Sequence, residues 1–147
     1  FLLIGFGKVF TDLFTMTQLP QQLTEAIAQS GWSPFAVFTA MIALLLVLGM
    51  FLESLSMLLL TVPILFPIAT SLGIDPLAFG VFMVLAVEAG LITPPVGMNL
   101  FTVSSIGKIH FGAISREIVP YLGMMVAMMY LVLYLGDLAT WLPSTMR

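Results

Sequence analysis

The chain has 147 residues, 61% of them hydrophobic and 7% charged, with a net charge of −3 and a mean hydropathy of +1.18. Soluble domains carry about a quarter charged residues, so this chain cannot cover itself with polar surface in water and needs lipid to do so. With no cysteine, a single His110 and four scattered basic residues, it lacks disulfide or thiolate chemistry, a transition-metal ligand set and a nucleic-acid footprint.

Residues 35–52, 54–74, 89–107 and 118–136 contain no charge. Each stretch is close to the ~20 residues that a helix needs to cross ~30 Å of hydrocarbon. The class is an all-α polytopic membrane protein. The opening FLLIGFGKVF reads as the inside of a hydrophobic helix, which predicts a functional unit larger than this chain.

Residues 1–17 read as the end of one membrane helix, with Lys8 and Asp12 spaced to pair at i,i+4. Residues 18–34 are polar, yet Leu19, Leu23, Ala26 and Ile27 recur at helical spacing. That pattern predicts an amphipathic connector along the membrane surface, with Trp32 at the interface. Residues 35–74 form two apolar arms split by Glu53-Ser54-Leu55-Ser56. The arms either cross fully, with Glu53 at the far surface, or fold as a re-entrant hairpin. Arm length favours crossing; a tip poor in turn residues favours re-entry. Pro63 and Pro67 should kink the second arm.

Gly73 should end that arm, and Asp75-Pro76 should open the next helix. Residues 77–107 are longer than one straight crossing needs, and they contain GLITPPVGMN. Pro94 and Pro95 have no N–H for the carbonyls of Gly90 and Leu91. Pro94 also turns Thr93 out of helical conformation, and Gly97 adds backbone freedom. The helix should stop near Leu91 and restart near Gly97 or Met98. Residues 108–117 read as a polar, basic loop, followed by a last membrane helix over 118–142 that ends at Leu142-Pro143. Lys108, His110 and Arg116 put that loop on the cytoplasmic side.

Unpaired carbonyls are tolerated in a membrane only when buried in protein or lining a polar cavity. Those freed at the break, with the Thr93 hydroxyl and the Asn99 amide, are hard oxygen ligands suited to Na⁺. The positive end of the restarting helix suits an anionic substrate group. A plain proline kink in a structural helix is the bland alternative. Glu53 and Glu88 are functional candidates because ionisable groups are rare in membrane segments. A solvated turn would explain the first equally well, and a hydrogen bond to a neighbouring helix the second.

GMFLESLSMLLLTVPILFPIATSLGIDPLAFGV (49–81) and EAGLITPPVGMNLF (88–101) resemble the large membrane subunit of tripartite ATP-independent periplasmic (TRAP) transporters. The resemblance extends over the LPQQL connector and the closing REIVPYL and WLP, and covers roughly the C-terminal third of such a subunit. It implies the C-terminal repeat of an elevator-type transporter of the ion-transporter superfamily, with a re-entrant helical hairpin over 35–74 and a discontinuous transmembrane helix over 77–107. It further implies import of organic acids (a dicarboxylate, sialic acid or a similar anion) on a Na⁺ gradient across the bacterial inner membrane. The implied partners are a small membrane subunit, a periplasmic solute-binding protein and the lipid bilayer. By position, the resemblance makes Gly49, Gly90, Thr93 and Val96 the Na⁺ ligands, largely through backbone oxygens. Ser54, Ser56 and Asn99 become substrate-facing or polar-shell residues.

Two other readings compete with this one. One is a carrier of the same superfamily that works without a binding protein, of dicarboxylate or arsenite type. The other is a membrane scaffold whose broken helix only packs. Enzyme chemistry has no nucleophile–base pair or redox ligand set in this sequence.

Overall fold

The computed structural model describes residues 16–29 and 31–136, together with Gly5, Val9, Asp12, Leu13, Ala139, Thr140 and Thr145. Lys8 of the expected pair, most of the expected helix end over 1–17 and the Leu142-Pro143 stop lie outside the described residues. Among the described residues the regular elements are six helices: α1 Leu19–Gln29, α2 Pro34–Gly49, α3 Ser54–Ser71, α4 Pro76–Leu91, α5 Met98–Gly107 and α6 Phe111–Tyr134.

Local chemistry sets most of the boundaries. Ser33 caps α2 by accepting from the Ala36 N–H at 3.3 Å, with Pro34 in the first turn. Asp75 caps α4 by accepting from the Leu77 N–H at 2.8 Å, and Pro76 follows. Both are N-cap oxygens followed by a proline that has no N–H to leave unpaired. Gly73, at φ +81°, turns the chain after α3 in a conformation that disfavours a side chain. α3 runs unbroken through Pro63 and Pro67.

The last helix starts at Phe111, not at 118 as hydropathy suggests. His110 caps it, with Nδ1 accepting from the Gly112 N–H at 3.2 Å, and the Ser115 hydroxyl returns to the Phe111 carbonyl at 2.9 Å. Arg116 and Glu117 are exposed on this first part of the helix. The connection between α5 and α6 is therefore only Lys108, Ile109 and His110. A helix need not stop where the apolar run stops.

α4 lies at the centre and packs against α2, α3 and α6, while α1 packs on α3 and α5 on α6. Its buried arc comprises Ala78, Phe79, Phe82, Met83, Ala86, Val87, Ala89 and Gly90. α2 and α3 pack on each other across the connection 50–53. The α6 end of the bundle holds the start of α2. The Thr39 and Tyr130 hydroxyls lie 2.7 Å apart, Phe35 stacks on Tyr130 with centroids 5.4 Å apart, and Phe38 meets Tyr134 edge-on at 5.6 Å.

α3 and α6 are each long and apolar enough to cross a membrane, and only 28% and 17% of their most apolar stretches are buried inside the bundle. A soluble core helix would be covered; these expose their apolar side chains. α2 has 16 residues, ~24 Å of helix, which falls short of the ~30 Å core.

Candidate functional site

α2 and α4 touch backbone to backbone at their C-terminal ends. A Cβ built on Gly49 would lie 2.7 Å from the Gly90 Cα, and one on Gly90 would lie 2.7 Å from the Gly49 Cα. No side chain fits there, so the two glycines set the helix separation, as small residues do between membrane helices. Met57 of α3 closes the crossing from below: it is fully buried, and its sulfur lies 3.3 Å from the Gly49 Cβ position. Both chain ends then leave the helical state at the same place, α2 into 50–53 and α4 into 92–97.

The break is built by its own residues. α4 ends at Leu91 and α5 begins at Met98, around a cis Pro94–Pro95 bond. The Thr93 N–H donates to the Gly90 carbonyl at 3.0 Å, and the Thr93 hydroxyl donates to the Ala89 carbonyl at 2.6 Å. Gly97 takes φ +50°, and a Cβ there would sit 3.1 Å from both the Thr93 carbonyl oxygen and Leu100 Cδ1. α5 has no side-chain cap; the Gly97 carbonyl accepts from Leu100 and Phe101, and the first N–H groups face the break.

This geometry corrects one expectation. Gly90 does not lose its carbonyl partner: the chain tightens by one residue, and Thr93 donates where a fourth residue would have. Around the junction, the oxygens of Gly49 through Leu52 and of Leu91 through Val96 accept no hydrogen bond from the described residues. The Gly90 oxygen retains a second lone pair, and the Thr93 hydroxyl can still accept.

The residues singled out from the sequence are distributed as follows. Gly49 and Gly90 are in contact, and Thr93 and Val96 sit half-buried on the adjoining break. Glu53 is exposed and caps α3, with Oε1 accepting from both the N–H and the hydroxyl of Ser56 at 2.8 Å. Ser54 is half-buried beside it, and Ser56 is exposed and committed to Glu53. Asn99 is exposed in the first turn of α5. Glu88 is exposed on α4, one turn short of the break, with no hydrogen bond to the described residues. Sequence reasoning missed Met57, which nothing distinguishes from the other apolar residues of its arm. It also missed Glu53 as a cap, although a polar pair three residues apart at a helix start was visible.

An all-helical membrane bundle with an unpaired-backbone junction between two helix ends is the class that fold and site define. A family model described as the DctM component of the tripartite ATP-independent periplasmic transporter matches residues 1–138, and the chain belongs to that family. It is 35% identical over 142 residues to the C4-dicarboxylate TRAP transporter large permease of Vibrio cholerae, covering 97% of this chain and 31% of that protein. It is 42% identical over 114 residues to the sialic acid TRAP transporter large permease of the same organism, covering 78% and 27%. It is 30% identical over 132 residues to the isethionate TRAP transporter permease of Oleidesulfovibrio alaskensis, covering 90% and 21%. The chain thus spans about a third or less of the length of the curated relatives it matches.

Proposed function

We propose that this chain supplies the re-entrant hairpin and the discontinuous transmembrane helix of an elevator-type TRAP permease of the bacterial inner membrane. In this reading the Gly49–Gly90 junction holds Na⁺, and the sodium gradient drives import of an organic anion. The observation that carries it is the backbone contact of Gly49 with Gly90 beside the break. Phe38 against Tyr134, and a Cβ position on Gly136 that lies 3.9 Å from the Ala78 Cβ, put the starts of α2 and α4 beside the end of α6. α6 has 24 residues, ~36 Å of helix, whereas α2 and α4 each rise only ~24 Å before they stop. Both therefore end about level with Ile118, where the apolar run of α6 meets its exposed Arg116 and Glu117. α5, 10 residues long, adds ~15 Å of helix beyond the break, more than the ~12 Å by which α4 is shorter than α6.

Gly49, Gly90, Thr93 and Val96 are the proposed ligands. Their carbonyls, and the Thr93 hydroxyl, form an oxygen set suited to a hard monovalent cation. Cation binding would draw the hairpin end and the break together. Ser54, Ser56 and Asn99, with the uncapped start of α5, would then face an anionic substrate. The affinity of anion and cation would rise together, which is what coupling means. The relatives named for C4-dicarboxylate, sialic acid and isethionate all point to organic anions. The family role implies a small membrane subunit and a periplasmic binding protein as partners.

The test is uptake by the complete transporter in proteoliposomes with its binding protein. Uptake should require an inward Na⁺ gradient and stop when choline replaces Na⁺; equal uptake in choline would reject the coupling. Thr93→Ala with Asn99→Ala should weaken Na⁺ dependence, whereas a scaffold would keep its activity.

A further inference from the structure

α4 is enclosed over most of its circumference, yet one narrow strip stays open. Leu77, Val81, Val84 and Glu88 are exposed, and at 100° per residue they lie within about 60° of one another along the helix. Gly80 borders the strip, and a Cβ there would meet nothing within 4 Å. With Pro76, Leu77, Val81, Val84 and Leu85 it lines an apolar groove of about 410 Å³. At its deep end the strip carries Glu88, which has no partner among the described residues.

Three surroundings could cover such a strip. Hydrocarbon would suit Leu77, Val81 and Val84, but Glu88 sits ~18 Å along α4, near mid-membrane, where a carboxylate facing lipid is strongly disfavoured. A water-filled path would suit Glu88, but not three turns of apolar side chains around a glycine groove. A protein helix satisfies both, because apolar ridges fill the groove and a cation meets the carboxylate.

We propose that this strip docks a transmembrane helix that places a Lys or Arg side chain level with Glu88 and packs an apolar ridge over Gly80. The inference rests on the membrane reading above and is independent of Na⁺ coupling. The partner helix then fixes one side of the break, because Glu88 is one turn from Leu91. Movement of that helix would pull on the carbonyls that start there.

The test uses the complete permease with its partner subunits in lipid vesicles. A spin label on Val84→Cys is unique within this chain, which has no cysteine. Its collision rate with O₂ should lie well below that of a spin-labelled lipid in the same vesicles, and its collisions with a water-soluble nickel chelate should also be rare. Frequent O₂ collisions would mean lipid, and frequent nickel collisions a water path; either overturns the proposal. Thermal unfolding gives a second, separate reading. Gly80→Leu and Glu88→Leu should each lower Tm by about 5 °C or more, the first by overfilling the groove and the second by stranding a buried cation. On a face open to lipid, both would leave Tm unchanged or raise it, which would equally overturn the docking. Loss of Na⁺ dependence in uptake would leave these readings untouched.

Discussion

At the scale of single residues, the glycines of the junction are not equivalent to the others. Gly49→Ala or Gly90→Ala places a methyl group 2.7 Å from backbone, and backbone cannot rotate aside. Each should destabilise the complete transporter by about 1–3 kcal/mol and separate the two helix ends. Thermal unfolding of the purified complex measures the first effect, and loss of uptake the second. Gly123, on the open face of α6, meets nothing within 4 Å; Gly123→Ala should be neutral or stabilise by up to about 1 kcal/mol in the same assay. Gly97→Ala combines φ +50° with crowding of the Thr93 carbonyl. It should cost about 1–2 kcal/mol and disturb the break more than the bundle, so that uptake falls further than Tm.

These residues also mark how far the sequence could be read. Pro94, Pro95 and Gly97 act on their own neighbours, and α4 and α5 end and begin where that local chemistry puts them. Gly49 is different: its contact is a residue 41 positions away in the chain, and nothing near it predicts the approach. Only the resemblance to TRAP permeases paired it with Gly90. The partner of the Gly90 carbonyl was misjudged for the opposite reason. Removing one N–H does not strand a carbonyl when the chain can tighten by a residue.

At the scale of elements, the α2–α6 contact holds the hairpin at its base and leaves its tip to the junction. Thr39 and Tyr130 form the side-chain hydrogen bond between these helices, at 2.7 Å. A double-mutant cycle of Thr39→Val and Tyr130→Phe should give a coupling of about 0.6 kcal/mol, and no more than about 1.7. Additive effects in thermal unfolding would mean that the pair does not couple the elements. α6 shows the limit of hydropathy: charge-free length reports the apolar span, whereas His110 and Ser115 set where helix begins. The cap at Asp75 was legible because a polar residue followed by proline has one good use at a helix start; Ser33-Pro34 has the same form and was not read as one. The length of α2 was not legible, because the chain leaves helix while still apolar, beside the Gly49–Gly90 contact.

At the scale of the whole molecule, two helix ends share one backbone contact, Gly49 against Gly90, beside the break. A cation that ties these ends together must bind the folded permease more tightly than the unfolded one. The direct measurement is thermal unfolding of the complete transporter in NaCl and in choline chloride at equal ionic strength. The prediction is a Tm that rises with Na⁺ concentration and saturates, with a shift of about 3–5 °C at 100 times the dissociation constant. The shift should shrink in Thr93→Ala. Identical Tm values in the two salts at every concentration would contradict the Na⁺ site at the Gly49–Gly90 junction.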